Sequence, residues 1–470
     1  MNIYQRKSIF RKRDESSIYR MFFLVLLILV GVWLIRSVQQ GDVKPLFLPT
    51  PTPTRFATSY TLEGDAHFTA GELDAAINAY NEAARVDPNN AEVLAQLSRV
   101  QTYSTALLIR RQDILARLDE AIASAEKAIE INPDSGYAYA VYSFALNWKA
   151  SYTSDQREQQ DLLRRANEAS SRSLLLDNNA LALAIYAEVL VDQQQWSQAQ
   201  QIIEQALARD ASLMDVHRVH AYVLESLGEY ALAIEAYDRA IAISPNLTFL
   251  YLRTGAGYRR LAFDSPNEQV QKDLFEKSLE YFAQAARINE QLGVEDPGPY
   301  LSIARTYSQM GEFFIAIRNV QKTIEFQPDN AVFYGELGML YHKNRNYETG
   351  ILAFKCAIEG CTADESCPAR GECGSNDIAS EVVGLPLDGS TVYYYDVYAS
   401  QLAALSTPRD NKCAKALEIA SIVENSEYIS DPNIATDMVV VRDICSSLEE
   451  SINATPTPQP TGTPESTPTP

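Results

Sequence analysis

Met214–Leu247, MDVHRVHAYVLESLGEYALAIEAYDRAIAISPNL, is a 34-residue stretch that reads as two amphipathic helices joined by a short turn. Ala221, Ala233 and Ala240 are small enough to let the two helices cross closely, while Leu224, Tyr237 and Ile241 fill the remaining apolar positions. Gly228 breaks the first helix and Pro245 closes the second. The same unit can be laid over almost everything between residues 57 and 364. Eight copies result: 57–90, 91–135, 136–179, 180–213, 214–247, one starting at Thr248, 297–330 and 331–364. Three copies exceed the period, with the excess between their helices near Tyr103–Ile114, Trp148–Gln159 and Phe263–Lys272. About one to two extra helical turns account for that excess better than a binding loop does.

A chain of 470 residues is too long for one compact core, but stacked repeats escape that limit because each buries itself against its neighbours. The formal net charge of −21 argues against nucleic acid as a partner, since phosphate needs a dominant basic surface. Solubility is the simpler account of that charge.

The N-terminus points to a membrane. Residues 1–20 carry Arg6, Lys7, Arg11, Lys12, Arg13 and Arg20 against Asp14 and Glu15, a net charge of +4. Met21–Ile35, MFFLVLLILVGVWLI, follows with fifteen residues and no polar side chain. At ~1.5 Å per residue this covers only ~22 Å of a ~30 Å hydrocarbon core, a gap that Arg20 and Arg36 narrow by snorkelling. A cleaved signal peptide competes with an uncleaved anchor; RSVQQGDVK after Ile35 offers no clean small-x-small site, so the anchor is favoured. The basic leader keeps the N-terminus cytoplasmic and exports the rest. The expected plan is a basic tail (1–20), a transmembrane anchor (21–36), a Pro/Thr-rich spacer (37–56) and the repeats (57–364). A cysteine-rich loop (365–390), a degenerate hairpin with a capping helix (391–451) and a disordered Thr/Pro tail (452–470) complete it. The spacer's Pro49–Thr54, PTPTPT, favours stiff polyproline II.

The repeat pattern resembles the tetratricopeptide repeat family, whose signature is an aromatic, Leu-Gly/Ala, Tyr, then Ala-x3-aromatic-x2-Ala and a closing Pro. The clearest matches are Tyr334-x2-Leu337-Gly338-x2-Tyr341 with Phe354-x2-Ala357, and Ala233-x3-Tyr237-x2-Ala240-x4-Pro245. The likeness covers about 310 of the 470 residues. It implies an all-α fold, a right-handed superhelical solenoid of helical hairpins, to which this chain's own residues add a disulfide-containing C-terminal helical cap and one preceding transmembrane helix. It also implies that the second, fifth, ninth and twelfth residues of each first helix line the concave wall. Transferred to this sequence, those positions include Tyr137, Phe144, Arg218, Tyr222, Phe249, Arg259, Arg305 and His342. Arginine and aromatic residues are enriched at binding hot spots, so this groove is the expected seat of an acidic or apolar peptide segment. The competing reading is a solvated wall whose arginines pair with neighbouring acids. The Lys/Asn pairing of the family's carboxylate-clamp members is missing.

All six cysteines lie beyond residue 355. Cys413 lies near the start of the second helix of the degenerate hairpin and Cys445 near the end of the closing helix, so antiparallel packing predicts a Cys413–Cys445 disulfide. Cys356, Cys361, Cys367 and Cys373 are expected to form two further bridges of open connectivity. Zinc is disfavoured because no Cys-x2-Cys pair and no nearby histidine is present. His217 and His220 are spaced for chelation but occupy packing positions of the repeat, and no Ser/His/Asp spacing suggests a nucleophile. The chain is therefore expected to be a non-enzymatic, membrane-anchored, extracytoplasmic scaffold for a protein or peptide partner, with no cofactor and no metal. A self-assembling surface protein is the alternative, and a cell-wall-processing enzyme with a site in the cap is a more remote one.

Overall fold

The computed structural model describes residues 17–39, 55–371 and 378–453. The proline-threonine spacer at 49–54, most of the basic leader and the Thr/Pro tail lie outside the described residues. The chain forms two units, Met1–Phe56 and Ala57–Pro470. The described part of the first is α1 (Ile18–Gln39), 22 residues long. At ~1.5 Å per residue it reaches ~33 Å, a length comparable to a ~30 Å hydrocarbon core and longer than the apolar run alone. It runs beyond Met21 and Ile35 at both ends because Ile18, Tyr19 and Ser37 continue the helix. It is long and apolar enough to cross a membrane, a criterion that a signal sequence near an N-terminus also meets.

The second unit is a stack of helical hairpins. The first four are α2 (Ala57–Ala70) with α3 (Leu73–Val86), α4 (Ala91–Ser104) with α5 (Arg111–Ile131), α6 (Gly136–Tyr152) with α7 (Gln156–Leu176), and α8 (Ala180–Asp192) with α9 (Trp196–Arg209). The next four are α10 (Met214–Ser226) with α11 (Tyr230–Ile243), α12 (Thr248–Asp264) with α13 (Glu268–Leu292), α14 (Gly298–Gln309) with α15 (Phe313–Phe326), and α16 (Ala331–Lys343) with α17 (Tyr347–Ile358). Asparagine caps the first helix of several hairpins: Asn90, Asn179 and Asn330 accept from the backbone N–H of Val93, Ala182 and Val332.

Two repeat positions explain the hairpin geometry. The fifteenth residue of each 34-residue copy sits in the left-handed region, at Gly71, Gly228 and Gly311, and also at Gln194 and Arg345. This residue makes the tight turn between the two helices. The three long copies lack it. Their second helices lengthen instead, to 21 residues in α5 and α7 and 25 in α13. The inserted residues are thus extra helical turns. The eighth residue is small because an aromatic ring from the second helix lies on it. A Cβ added at Gly255 would meet the Phe282 ring at 2.5 Å, and one at Gly338 would meet Phe354 at 2.7 Å.

The stack also closes on itself. One core joins Leu73 and Tyr80 of the first hairpin and Leu97 and Tyr103 of the second to Leu224, Leu247 and Phe249 of the fifth and sixth. At the edge of this contact a Cβ on Gly71 would lie 2.2 Å from the Asn246 carbonyl oxygen. Farther along, Arg110 pairs with Asp329 of the seventh hairpin, and Ile109 packs on the core of the last repeats.

A helical cap finishes the array: α18 (Ala363–Ala369), α19 (Val392–Ala404), α20 (Cys413–Glu424) and α21 (Pro432–Asn453). Tyr334, Phe354, Tyr395, Tyr398, Ile419, Met438 and Val441 place the eighth hairpin and the cap in one core. Cys413 and Cys445 are bonded between α20 and α21, and Cys356 is bonded to Cys361. Cys367 is disulfide-bonded as well, whereas Cys373 lies outside the described residues.

Candidate functional site

A cavity of about 340 Å³ opens between α6, α8, α10, α11 and α12, with Ala106 of the turn after α4 at its edge. Trp148, Tyr152, Tyr222, Tyr237, Phe249 and Leu252 supply most of its apolar wall, and Glu188, Asp192, Arg218 and Arg253 its charges.

Arg218 organises the deep end. Its guanidinium donates to both Glu188 oxygens, at 2.9 and 2.6 Å, and from Nε to Tyr103 Oη at 3.2 Å. The same group lies 5.3 Å from the Phe144 ring, 5.4 Å from Tyr103 and 5.8 Å from Trp148. Arg218 is 6% exposed and Glu188 4%, so both charges are out of water. Burial works against the guanidinium charge, but Glu188 and Tyr103 outweigh it and hold the arginine firmly ionised. Glu188 also accepts from Trp148 Nε1 at 2.9 Å. Beside this cluster Tyr103 Oη donates to Asp215 at 2.5 Å, and Arg99 binds the same carboxylate through Nη2 at 2.5 Å. Four first helices are thereby tied into one buried ionic network.

The cavity's upper wall differs. Asp192 accepts from Asn147 Nδ2 and from Tyr222 Oη, each at 2.5 Å. Burial pushes this carboxyl up to about 6, with the Glu188 charge adding to the effect and the Tyr222 bond and Arg218 opposing it. Arg253 donates to Glu225 at 2.7 Å and, through Nε, to Tyr237 Oη at 3.3 Å.

Of the expected groove residues, Phe144, Arg218, Tyr222 and Phe249 come together here, with Phe144 behind Arg218. The others lie elsewhere. Tyr137 donates to Gln96 at 2.7 Å in a shallow depression with Glu92, Ser135 and Asn179. Arg259 donates to the Ser302 carbonyl at 3.2 Å and covers the Phe282 ring at 5.5 Å. Burial, and then Arg305, lowers it to about 10. Arg305 donates from Nε to Glu336 at 3.1 Å. His342 accepts at Nδ1 from Gln401 of the cap at 3.0 Å, and burial depresses its basicity. His217 is buried with Nε2 2.9 Å from the Ala211 carbonyl oxygen, a packing role.

Arg218, Arg259 and Arg305 therefore do not form one basic groove. Arg218 and Arg305 are paired with carboxylates, and Arg259 is held by a carbonyl and a ring. Glu188 and Arg99 stand at ninth positions of their hairpins, where the positional rule reaches them. Tyr103, Trp148 and Asp192 stand at thirteenth positions, outside that rule.

Four stretches match family models described as TPR repeat or tetratricopeptide repeat: residues 64–98, 113–135, 174–247 and 320–351. Among curated proteins, the human mitochondrial import receptor subunit TOM70 is 24% identical over 211 residues, 44% of this chain and 30% of TOM70. The rat protein is 23% identical over the same length. The chain thus spans about a third of the length of the curated relatives it matches. Among solved structures, a monomeric IFIT1 mutant with m7Gppp-AAAA matches at a TM-score of 0.51 and 13% identity, covering 83% of this chain and 80% of that one. The human IFIT1 dimer with m7Gppp-AAAA matches at 0.50 and 14%, covering 85% and 91%. These last likenesses concern the fold alone. With four matched stretches inside an array of stacked hairpins, the chain is a tetratricopeptide repeat protein.

Proposed function

We propose that this protein is a membrane-anchored, extracytoplasmic interaction scaffold that binds a segment of a protein partner in the cavity around Arg218, Tyr222 and Phe249. One observation carries the reading: aromatic and apolar side chains from several hairpins converge on a concave cavity whose ionic groups are already held in place. Preorganised walls of this kind suit recognition, because little ordering cost remains to be met on binding. TOM70 is by its name a receptor subunit, which agrees with a binding role. The outward placement is supported by the basic residues ahead of α1 and by disulfides, which persist in oxidising compartments.

The IFIT1 structures hold m7Gppp-AAAA, but phosphate recognition draws on cations that are free to meet it. Here Arg218 and Arg253 are each engaged by a carboxylate, and the wall carries as many acids as arginines. That balance argues against RNA.

Crosslinking in intact cells followed by mass spectrometry tests the proposal. One dominant foreign protein is expected. A dominant self-crosslink would favour the assembling surface protein instead, and an absence of any specific partner would remove the scaffold reading. A membrane-impermeant protease applied to intact cells should digest the repeats; their protection would refute the outward placement.

A further inference from the structure

One charged group of the cavity wall has no ionic partner among the described residues. Glu188 is neutralised by Arg218, and Arg253 is matched by Glu225 at 2.7 Å. Asp192 remains. It is held by two neutral donors, Asn147 and Tyr222, and no salt bridge reaches it among the described residues. Asn147 is 1% exposed, and its Oδ1 is a second acceptor without a hydrogen-bond partner. Trp148, Tyr152, Tyr222 and Phe249 line the same cavity as Asp192, and the quadrupoles of aromatic rings attract cations. The protein already uses these faces so: Arg218 sits 5.8 Å from Trp148 and Arg253 5.8 Å from Tyr222.

We propose that the cavity receives one lysine or arginine side chain of the partner segment, with Asp192 as its counter-ion and the aromatic walls as its sleeve. This rests on the scaffold reading and specifies the partner's chemistry. The volume of about 340 Å³ lies near the lower end of the ~300–1,000 Å³ typical of ligand sites, so it suits one long side chain better than a folded surface. The chain's net charge of −21 would draw a basic segment toward it.

Protonation follows from the same geometry. Glu188 of α8, Arg218 and Tyr222 of α10 and Asn147 of α6 all face Asp192. Burial makes its charge unfavourable in the empty cavity, and a bound cation removes that penalty. Binding should therefore tighten as pH rises through about 6.

The test uses the full chain in detergent, with N-acetyl-lysine-methylamide as probe and its Nε-acetylated analogue as control, read by saturation-transfer NMR. The charged probe should bind about tenfold or more tightly than the analogue, more strongly at pH 7 than at pH 5. Asp192→Asn should erase the difference. Leu252→Lys, which supplies the cation from the wall itself, should erase it too. Circular dichroism of both variants shows that the helices are kept. Equal binding of the two probes, or full discrimination by Asp192→Asn, would overturn the proposal. Partner capture in cells that does not depend on a lysine or arginine of the captured segment would remove this inference alone, whereas the absence of capture would remove the scaffold reading beneath it.

Discussion

The ring of Tyr103 lies flat on that of Phe249, with centroids 5.4 Å apart and planes 11° from parallel. One residue belongs to the second hairpin and the other to the sixth. The contact is therefore made across a turn of the solenoid, not along it. It joins a buried aromatic group in which Tyr103 also meets Phe144 at 5.0 Å and Trp148 at 6.0 Å. A solenoid gains stability mainly from nearest neighbours. Here the closing contact adds a second set of interactions and turns part of the concave wall into core.

Removing the ring of Tyr103 should be costly. Tyr103→Ala leaves a cavity between hairpins and deprives Asp215 of a donor, so a loss of about 3–5 kcal/mol is expected in urea unfolding. The far-ultraviolet circular dichroism of the folded protein should change little, because each hairpin keeps its own helices. A loss below ~1 kcal/mol would show that the closure contributes little.

Arg218 should behave as a structural ion. Arg218→Ala leaves Glu188 buried without its partner and should destabilise by about 3–5 kcal/mol. Arg218→Met combined with Glu188→Leu removes both charges and should recover most of that loss in thermal melts. A double variant no better than Arg218→Ala would contradict the pairing. Charge reversal at Arg218 would unfold the wall, so it cannot serve to probe partner binding.

The cap should weaken as pH rises. Asp396 on α19 is 6% exposed, and burial, followed by repulsion from Asp437 and Asp431, pushes its carboxyl up to about 7. The folded form therefore keeps a proton that the unfolded chain releases near 4. Stability from this group is complete below about pH 4 and is lost progressively as pH approaches 7. Asp396→Asn should stabilise the cap at pH 8 and have little effect at pH 4. Identical pH profiles for the variant and the parent protein would refute this.

The Cys413–Cys445 bridge closes a loop with a sequence separation of 32. Loop-closure entropy assigns it about 3–4 kcal/mol. Replacing both cysteines by serine should lower the melting of α20 and α21 ahead of the repeats, seen as early hydrogen exchange confined to residues 413–453. Uniform exchange across the whole array would show that cap and repeats melt together.

The hairpins were legible in the sequence because each is written locally. Gly228 and Pro245 mark the ends of helices, and the 34-residue period carries those marks along the chain. The site was legible only in part. Phe144, Arg218, Tyr222 and Phe249 followed from their helix positions. Whether Arg218 faces solvent or Glu188 depends on how far the solenoid turns per hairpin. That stacking brings together Glu188 and Arg218, 30 residues apart in the chain, and no local pattern records it. Asp192 and Trp148 escaped for a simpler reason. They stand one residue past the twelfth position, and both line the cavity all the same.

The most direct test of the account places a photo-activated crosslinker at Leu252, on the cavity wall, and at Leu175, which is 80% exposed, in the full chain in cells. A single partner crosslinked from position 252 and not from 175, and lost when Asp192→Asn is added, is the predicted result. Crosslinks from 175 with none from 252 would contradict the claim that the concave cavity is where this protein binds.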